Sequence, residues 1–340
     1  MRKLLNTLYV STQGVYLHRD GETVVAEREQ KVAMRLPIHT LQAIVCFGNV
    51  LVSPFLLGLC AERGVHVSFL TEYGRPMAQI EGGKNSNVLL RVAQMRTADN
   101  PMLSVNIARN FVIGKILNAR TILQRRLRDH GNDEASARGV AQLANVVQRL
   151  RSVDALEMVR GLEGEAASYY FQSFNGLLVA QREDFRITDR NRRPPRDPMN
   201  ALLSFLYVLL ANDCAGAVKS VGLDAQVGFL HALRPGRASL ALDLMEEFRA
   251  FFADRVALSL VNRCQVRRKD FSFSESGAVV LSETARKTVL VEWQNRKKEQ
   301  LVHPFLNEKI EAGLLPFVQA QLLARHLRGD LDAYPPFIVK

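Results

Sequence analysis

The first eighty residues follow a short-range pattern of apolar and polar positions that predicts β-strands. Short runs rich in β-branched and aromatic residues recur at Thr7–Val10, Val15–His18, Ala43–Phe47 and Val65–Leu70. The pair Asp20-Gly21, placed directly before Thr23-Val24-Val25, predicts a hairpin turn. Between the last two runs, Ser53 as N-cap, Pro54 in the first turn and Gly64 after the end predict a short helix.

From Val88 onward the apolar positions recur with the period of a helix. This pattern predicts helices over Asn106–Asp129, Gly139–Leu150, Ala155–Phe174, Asn200–Asn212, Leu240–Val261, Ser282–Arg296 and Pro304–Leu327. The polar side of the first of these carries Arg109, Lys115, Arg120, Arg125, Arg126 and Arg128. Three prolines predict an irregular loop at Arg190–Pro198. Phe271–Phe273 and Ala278–Leu281 predict a small β excursion around Gly277.

The change of period divides the chain into two predicted domains of an α+β protein. A small β-rich N-terminal domain spans residues 1–84, and a larger, mainly α-helical domain spans residues 88–340. The polar, glycine-containing segment 81–87 is a plausible linker between them.

Composition narrows the classes of partner and compartment. The net charge is +11 and the pI about 9.7, which favours a polyanionic partner. Residues 1–87 hold nine basic against seven acidic residues, so the other 36 basic and 27 acidic residues place most of the surplus in the helical part. The four cysteines include no CxxC pair, which argues against a zinc site or a disulfide framework. We find no signal peptide and no apolar run of about 18 residues, and we expect a cytoplasmic protein without a membrane span.

The segment Leu242–Arg249 concentrates the candidate chemistry. Asp243, Glu246 and Glu247 fall within about one helical turn, and His231 lies shortly before them, just after Gly228. Carboxylates so close repel one another unless a cation compensates them, and histidine is a common ligand of divalent metals. The alternative is a solvated acidic face with a structural histidine. The apolar residues around these acids favour the site.

Four ordered motifs give the chain a family resemblance. They are Gly161–Phe171, Asn191–Tyr207, the His231 segment and Leu242–Arg249. In this order and spacing they resemble the CRISPR-associated integrase family, whose members insert new spacers into CRISPR arrays. The resemblance covers essentially the whole chain and is greatest to the type I-C branch.

The resemblance implies a catalytic site at Glu163, His231 and Glu246, the family's metal ligands, with Asp243 as a further acid near the metal. Oxygen ligands with one imidazole suit Mg²⁺ or Mn²⁺ better than zinc. Such an ion supports phosphodiester transesterification by a 3′-hydroxyl, or hydrolysis when water attacks. Two nearby acids, Glu165 and Glu247, are the alternatives most easily confused with the ligands.

Several residues near these motifs are candidate DNA contacts. Arg249 lies one turn after Glu246, and Tyr207 matches a family tyrosine near the active site. A solvated arginine and a core tyrosine are the competing interpretations. The arginines of segment 182–196, above all Arg192, Arg193 and Arg196, are suited to bind phosphates, with a merely solvated charge run as the alternative.

The resemblance also implies partners. These are double-stranded DNA with 3′ ends, CRISPR repeat DNA, and a small ferredoxin-like CRISPR adaptation protein in a larger complex. A homodimer would form through the β domain, with Thr7–Val10 and Val65–Leu70 as the candidate exposed seam strands. Two other functions stay open, a metal-dependent nuclease of DNA repair or recombination and a catalytically silent DNA-binding subunit.

Overall fold

The computed structural model describes residues 7–41, 43–72, 76–80, 88–131, 133–191 and 194–339. The chain separates into two compact units, Met1–Ser86 and Asn87–Lys340. The first is rich in strands and the second is mostly helical, which confirms the predicted α+β fold class. The predicted linker at 81–87 lies outside the described residues.

The N-terminal unit contains two four-stranded sheets and one helix. Its elements are β1 (Thr7–Val10), β2 (Val15–Asp20), β3 (Thr23–Arg28), β4 (Lys31–Pro37), β5 (Ala43–Phe47), β6 (Val50–Val52), α1 (Pro54–Arg63), β7 (His66–Leu70) and β8 (Pro76–Ile80). The sheet orders are β1-β5-β7-β8 and β4-β3-β2-β6. The predicted hairpin is confirmed, since Asp20 pairs with Thr23 across the turn. Helix α1 is confirmed with its caps, because the Ser53 side chain accepts from the Leu56 amide and Gly64 adopts a φ of 69°.

Strand β7 corrects the predicted dimer seam. Val65–Leu70 was expected to be an exposed strand, but β7 is paired with β5 on one side and β8 on the other. Val65 and Val67 are buried in the core of the unit. β1 does lie at an edge of its sheet as described. Among the strands that sequence patterning missed, β4 is the most exposed, with Val32 and Met34 open to solvent.

The C-terminal unit is built mainly from helices. Its elements are α2 (Val88–Asp99), α3 (Pro101–His130), α4 (Glu134–Leu150), α5 (Leu156–Phe174), α6 (Arg182–Phe185), α7 (Pro198–Ser220), α8 (Ser239–Glu246), a π-helical turn (Arg249–Asp254), α9 (Arg255–Asn262), β9 (Phe271–Phe273), β10 (Val279–Leu281), α10 (Glu283–Lys298), β11 (Gln300–Val302), β12 (Lys309–Glu311) and α11 (Leu315–Leu327). The predicted β excursion is confirmed as the β9–β10 hairpin.

Two helix predictions and one loop prediction for this unit are wrong in extent. The predicted helix 240–261 is interrupted, because α8 ends at Glu246 and the π-helical turn follows. The predicted helix 304–327 begins only at Leu315, after the β11–β12 hairpin. Pro198 was assigned to the irregular loop but begins α7, where its missing amide hydrogen costs nothing.

Helix α7 is long and strongly apolar. By length and composition it is the one described helix that passes a test for a membrane span, and 61% of its most apolar window is buried within the fold. No unbroken apolar run reveals the overall hydropathy of this helix, because Ser204, Asn212 and Asp213 interrupt it. Core helices pass the same test, and α7 packs against α8 and α11 here.

Candidate active site

Glu163 lies midway along α5 and faces Lys115 of the neighbouring helix α3. The Lys115 ammonium forms an ion pair and a hydrogen bond with Glu163 Oε1. The same ammonium lies 2.8 Å from Glu246 Oε2, at the end of α8. Lys115 therefore joins two of the predicted ligands, which come from motifs more than eighty residues apart.

The loop that carries His231 is fixed by Asp243. The Asp243 carboxylate accepts hydrogen bonds from the backbone amides of Phe229, Leu230 and His231 at 2.6, 3.0 and 2.9 Å. The loop comes so close to α8 that a Cβ on Gly228 would lie 2.7 Å from Asp243 Oδ2 and 2.8 Å from Ser239 Cβ. A side chain at position 228 would collide with α8, so the close approach of the His231 loop requires glycine there.

Asp243 also sets the state of the His231 ring. His231 Nδ1 lies 2.6 Å from Asp243 Oδ1. Because a carboxylate oxygen accepts hydrogen bonds, Nδ1 carries a hydrogen, and Nε2 is the ring nitrogen that can bind a metal. Nε2 faces Glu246 Oε1 at 3.9 Å. Asp243 thus has its oxygens occupied by four donors and positions His231.

Glu246 is almost fully buried among positive charges. Its side chain is 2% exposed, and Arg249 Nη2 lies 2.8 Å from Oε1. Burial raises the pKa of Glu246, but the charges of Arg249, Lys115 and His231 outweigh it and hold the pKa well below its ordinary value. Glu246 is therefore ionised, with Oε2 buried and outside hydrogen-bond geometry.

This donor set fits a divalent cation in kind. It offers carboxylates from Glu163 and Glu246 and the lone pair of His231 Nε2, the ligand types of Mg²⁺ and Mn²⁺. Glu246 Oε2 is buried with the Lys115 ammonium at 2.8 Å, so a divalent ion would take the place of that ammonium. Within the described part of the chain, however, no three His, Cys, Asp or Glu side chains are arranged to hold a metal as they stand. The Lys115 ammonium contacts both carboxylates instead.

The two acids most easily confused with ligands lie elsewhere. Glu165 points away from Lys115 and pairs with Arg149 at 2.7 Å, while accepting from Tyr169. Glu247 is buried among the side chains of Gln319 and Tyr334 and the backbone of Phe337. Of the acids considered in the sequence, the structure brings together Glu163, Glu246 and Asp243 with His231.

Tyr207 and Arg249 lie behind the carboxylates and have partners within the protein, and their role as DNA contacts stays a prediction. Tyr207 is buried, and its hydroxyl donates to Asp254 Oδ1 at 2.7 Å. The Arg249 guanidinium stacks on the Tyr207 ring at 5.0 Å and its side chain is 12% exposed. Both side chains are therefore occupied within the protein, Tyr207 as a core tyrosine and Arg249 as the partner of Glu246.

The π-helical turn explains why Arg249 and Asp254 meet the same ring. Its hydrogen bonds join residues five apart, so positions 249 and 254 lie on one side, toward Tyr207. Asp254 accepts from Tyr170 as well as Tyr207. Burial raises the pKa of Asp254 to about 6, although these hydroxyls and nearby Arg190 and Arg249 oppose the rise.

The predicted basic loop is described only in part. Arg192 and Arg193 lie outside the described residues. Arg196 is exposed, and its amide donates to Asn191 Oδ1. Arg190 instead turns inward, donating to Asn200 Oδ1 at 2.6 Å with its guanidinium over Tyr207. The proposed DNA contacts of this loop stay a prediction.

Comparison with known proteins identifies the family. The family model for CRISPR associated protein Cas1 matches residues 8–295. The chain belongs to the Cas1 family. The CRISPR-associated endonuclease Cas1 1 of Chlorobaculum tepidum is 51% identical over 343 residues, covering 99% of both chains. The predicted family resemblance is confirmed, and the type I-C branch stays a prediction.

Solved structures share this fold at lower identity. A casposase bound to its integration product matches with a TM-score of 0.86 and 21% identity, over 99% of this chain and 95% of that one. A chain of a Cas6-RT-Cas1–Cas2 complex matches with a TM-score of 0.84 and 22% identity, over 98% of this chain and 36% of that one. At these identities the likeness establishes the fold that positions the Cas1 site.

Lys115 and Asp254 are the site residues that sequence reasoning missed. Lys115 was placed on the polar side of a long helix among five arginines, yet its side chain is 13% exposed and contacts both carboxylates. No local pattern separates it from those arginines. Asp254 offered a signal, since it is an acid within the apolar run Phe251–Val261, but its tyrosine partners lie 47 and 84 residues away.

Proposed function

We propose that this Cas1-family protein is a divalent-metal-dependent DNA integrase and endonuclease that inserts new spacers into a CRISPR array. The observation that carries the proposal is the meeting of Glu163, His231 and Glu246 from three separate segments at one charge-compensated point. The relative from Chlorobaculum tepidum, half identical over its full length, is named an endonuclease, which supports the same chemistry.

The proposed metal ligands are Glu163, Glu246 and Nε2 of His231. A bound Mg²⁺ or Mn²⁺ would orient the attacking hydroxyl and offset negative charge on the phosphate. Glu163, Asp243 and Glu246 bring three negative charges, and Lys115 and Arg249 bring two positive charges. Lys115 has a flexible stem, so its ammonium can swing from the carboxylates toward a DNA phosphate when an ion binds.

The neighbouring residues keep the ligands in place. Asp243 holds the His231 ring and its loop. Arg249, which stacks on the Tyr207 ring, pairs with Glu246. The site is open to solvent at Glu163, whose side chain is 27% exposed. An open surface beside a buried carboxylate cluster is the arrangement that a DNA strand needs to reach it.

In the proposed integration step, the 3′-hydroxyl of an incoming DNA end attacks a phosphorus at the edge of a repeat. A new phosphorus–oxygen bond forms as the bond to the repeat's own 3′-oxygen breaks. The attacking hydroxyl loses its proton and the departing oxygen gains one, so the number of phosphodiester bonds is unchanged. When water replaces the 3′-hydroxyl, the same residues support endonuclease cleavage.

A spacer must be joined at both ends, and one site joins one end. We therefore propose a homodimer formed through the β-rich unit, acting in the cytoplasm with a small ferredoxin-like CRISPR adaptation protein. The exposed edge strand β4, which presents Val32 and Met34, replaces β7 as a candidate seam strand beside β1. Apolar side chains on an unpaired edge suit pairing with a second chain.

Strand transfer with matched glutamines on one helix tests the proposal. Glu163→Gln should abolish joining of a labelled 3′-hydroxyl DNA end to a repeat substrate. Glu165→Gln, two residues along α5, should join DNA like the unchanged protein, because the partners of Glu165 among the described residues are Arg149 and Tyr169. Equal activity in the two variants would contradict the assignment.

Calorimetric titration with Mn²⁺ tests the metal ligands without relying on activity. The unchanged protein and Glu165→Gln should bind one ion per site, whereas Glu163→Gln, His231→Ala and Glu246→Gln should lose that binding. Retained Mn²⁺ binding in all three would show that these side chains hold no metal.

A further inference from the structure

A cavity in the helical unit, separate from the candidate active site, is surrounded by three arginines. Arg125 comes from α3, Arg255 from the first turn of α9 and Arg296 from the last turn of α10. Glu299, Gln300 and Asn307 also line it. None of these residues contacts Glu163, His231 or Glu246 among the described interactions.

Arg296 is built into the wall of this cavity. Its side chain is 8% exposed, and its guanidinium stacks over the Phe251 ring at 4.6 Å. One terminal nitrogen donates to the Phe251 carbonyl at 3.0 Å, and the other pairs with Glu299. The remaining donor, Nε, is buried without a hydrogen-bond partner. A buried guanidinium donor left unsatisfied costs free energy unless a ligand accepts its hydrogen.

The charges around the cavity do not cancel. Three guanidinium groups line the cavity together with one carboxylate, that of Glu299, which is more than half exposed, while Asp129 acts on Arg125 from outside the lining. Burial and the charges of Arg255 and Arg125 lower the pKa of Arg296 to about 10, with Glu299 opposing. Burial and the charge of Arg255 likewise lower the pKa of Arg125. The three arginines therefore repel one another and leave a local surplus of positive charge.

Histidine does not add to this charge. His303 lines the cavity, but its Nε2 is 3.0 Å from Gln319 Oε1 and its Nδ1 accepts from the amides of Phe305 and Leu306. A ring whose Nδ1 accepts two hydrogen bonds is neutral. The arginines alone give the cavity its affinity for an anion.

We propose that the cavity lined by Arg125, Arg255 and Arg296 is a phosphate-binding site. Guanidinium groups bind phosphate oxygens through paired, charge-assisted hydrogen bonds, and a phosphate in the cavity would relieve the repulsion among the three charges. The phosphate belongs either to a DNA strand or to a free phosphate compound such as a nucleotide. The site lies apart from the residues assigned to catalysis. It therefore adds a binding site to the proposed function and does not restate it.

Arg255→Ala is the variant that tests the site, because Arg255 is exposed and its removal leaves the core intact. Arg263→Ala is the matched control, since Arg263 is an exposed arginine at the other end of α9 whose ion pair within the described part of the chain is with Glu292 at 3.8 Å. The first measurement is the unfolding temperature in sodium phosphate compared with sodium chloride at equal ionic strength. Phosphate should stabilise the unchanged protein and Arg263→Ala, and not Arg255→Ala.

The second measurement distinguishes the source of the phosphate. Binding of a fluorescent single-stranded 12-nucleotide DNA is followed against salt concentration. If a strand phosphate occupies the site, Arg255→Ala should reduce the slope of log K against log salt by about 0.7 and weaken binding about fivefold at 0.1 M salt. Phosphate stabilisation with an unchanged slope assigns the site to a free phosphate compound.

Identical behaviour of Arg255→Ala and Arg263→Ala in both measurements would overturn the proposal. Neither measurement uses strand transfer. A negative result for Arg255→Ala would therefore leave the assignment of Glu163, His231 and Glu246 intact. A negative result in the strand-transfer test would likewise leave the phosphate site intact.

Discussion

Glu246 and Glu247 are consecutive residues at the end of α8, yet they lie in opposite surroundings. Both are buried, with 2% and 0% exposure. Glu246 faces Lys115, Arg249 and His231, and their charges hold its pKa below the ordinary value. The donors to Glu247 in the described part of the chain, Tyr334, Phe337 and Gln319, are uncharged, and burial, which they partly offset, raises its pKa to about 8.

Glu247 anchors the end of the chain. Its carboxylate accepts from the Tyr334 hydroxyl at 2.5 Å and from the Phe337 amide at 2.7 Å. Asn118 of α3 completes the anchor, binding the Glu247 and Phe337 carbonyls and the Val339 amide. Gly114 leaves room for this packing, since a Cβ there would lie 3.1 Å from Glu247 Cγ and from Pro336 Cβ.

The comparison shows that the partners of a buried acid decide its chemistry, since burial is the same for both. Positive neighbours keep Glu246 ionised and suited to bind a cation. Neutral donors hold Glu247 as part of the structure, where it connects α3, α8, α11 and residues 334–339.

The largest effect should come from Glu246→Gln. Removing the ionised oxygens while keeping the shape should lower strand transfer about a thousandfold, because several kcal/mol of transition-state charge stabilisation is lost. The thermal unfolding midpoint should also fall by several degrees, because Arg249 and Lys115 lose a buried charge partner, so strand transfer is compared below that midpoint. Strand transfer assays and thermal unfolding on the same preparation measure both quantities. Near-normal joining by this variant would place the catalytic acid elsewhere.

Glu247→Ala should lower the stability of the protein and leave strand transfer intact. It leaves the buried Tyr334 hydroxyl and Phe337 amide without acceptors, so the free energy of unfolding should fall by about 3 kcal/mol. Strand transfer should persist at temperatures where the variant is folded. Denaturant unfolding measures the loss, and Tyr334→Phe, which removes one donor, should lose only about 1 kcal/mol. Unchanged stability in Glu247→Ala would refute the anchor.

The pH dependence of stability should separate the two acids further. The pKa of Glu247 is about 8 in the folded chain against an ordinary value of 4.5, so unfolding releases a proton between these values. The free energy of unfolding should therefore fall as pH rises from 4.5 to 8 and level off beyond. Denaturant unfolding of Glu247→Gln and the unchanged protein across this range gives the contribution of Glu247 by difference. A constant difference would contradict a raised pKa.

The smallest effect belongs to Asp243→Asn. An asparagine amide would meet the donors of the 229–231 backbone and could favour the wrong hydrogen position on His231, so strand transfer should fall about tenfold. Mn²⁺ titration should show weakened binding with the same number of sites. Complete loss of binding would instead make Asp243 a direct ligand.

Sequence alone determined the elements whose signals are local. The β2–β3 turn and helix α1 follow from Asp20-Gly21 and from Ser53, Pro54 and Gly64, since caps and turns depend on residues only a few positions apart. The change from strand to helix period gave the fold class. Motif resemblance selected Glu163, His231 and Glu246, although the residues themselves did not separate Glu246 from Glu247.

Tertiary structure decided the features that depend on distant partners. The burial of Lys115 depends on Glu246, which lies 131 residues further along the chain, and the central place of β7 depends on its pairing with both β5 and β8. The π-helical turn after α8 is likewise seen only in the structure. The same holds for the consecutive acids. Local sequence puts Glu246 and Glu247 on the end of one helix, but α3 supplies Lys115 to one and residues 334–337 supply neutral donors to the other. Long-range contacts fix which charges surround a side chain, and those charges set its chemistry.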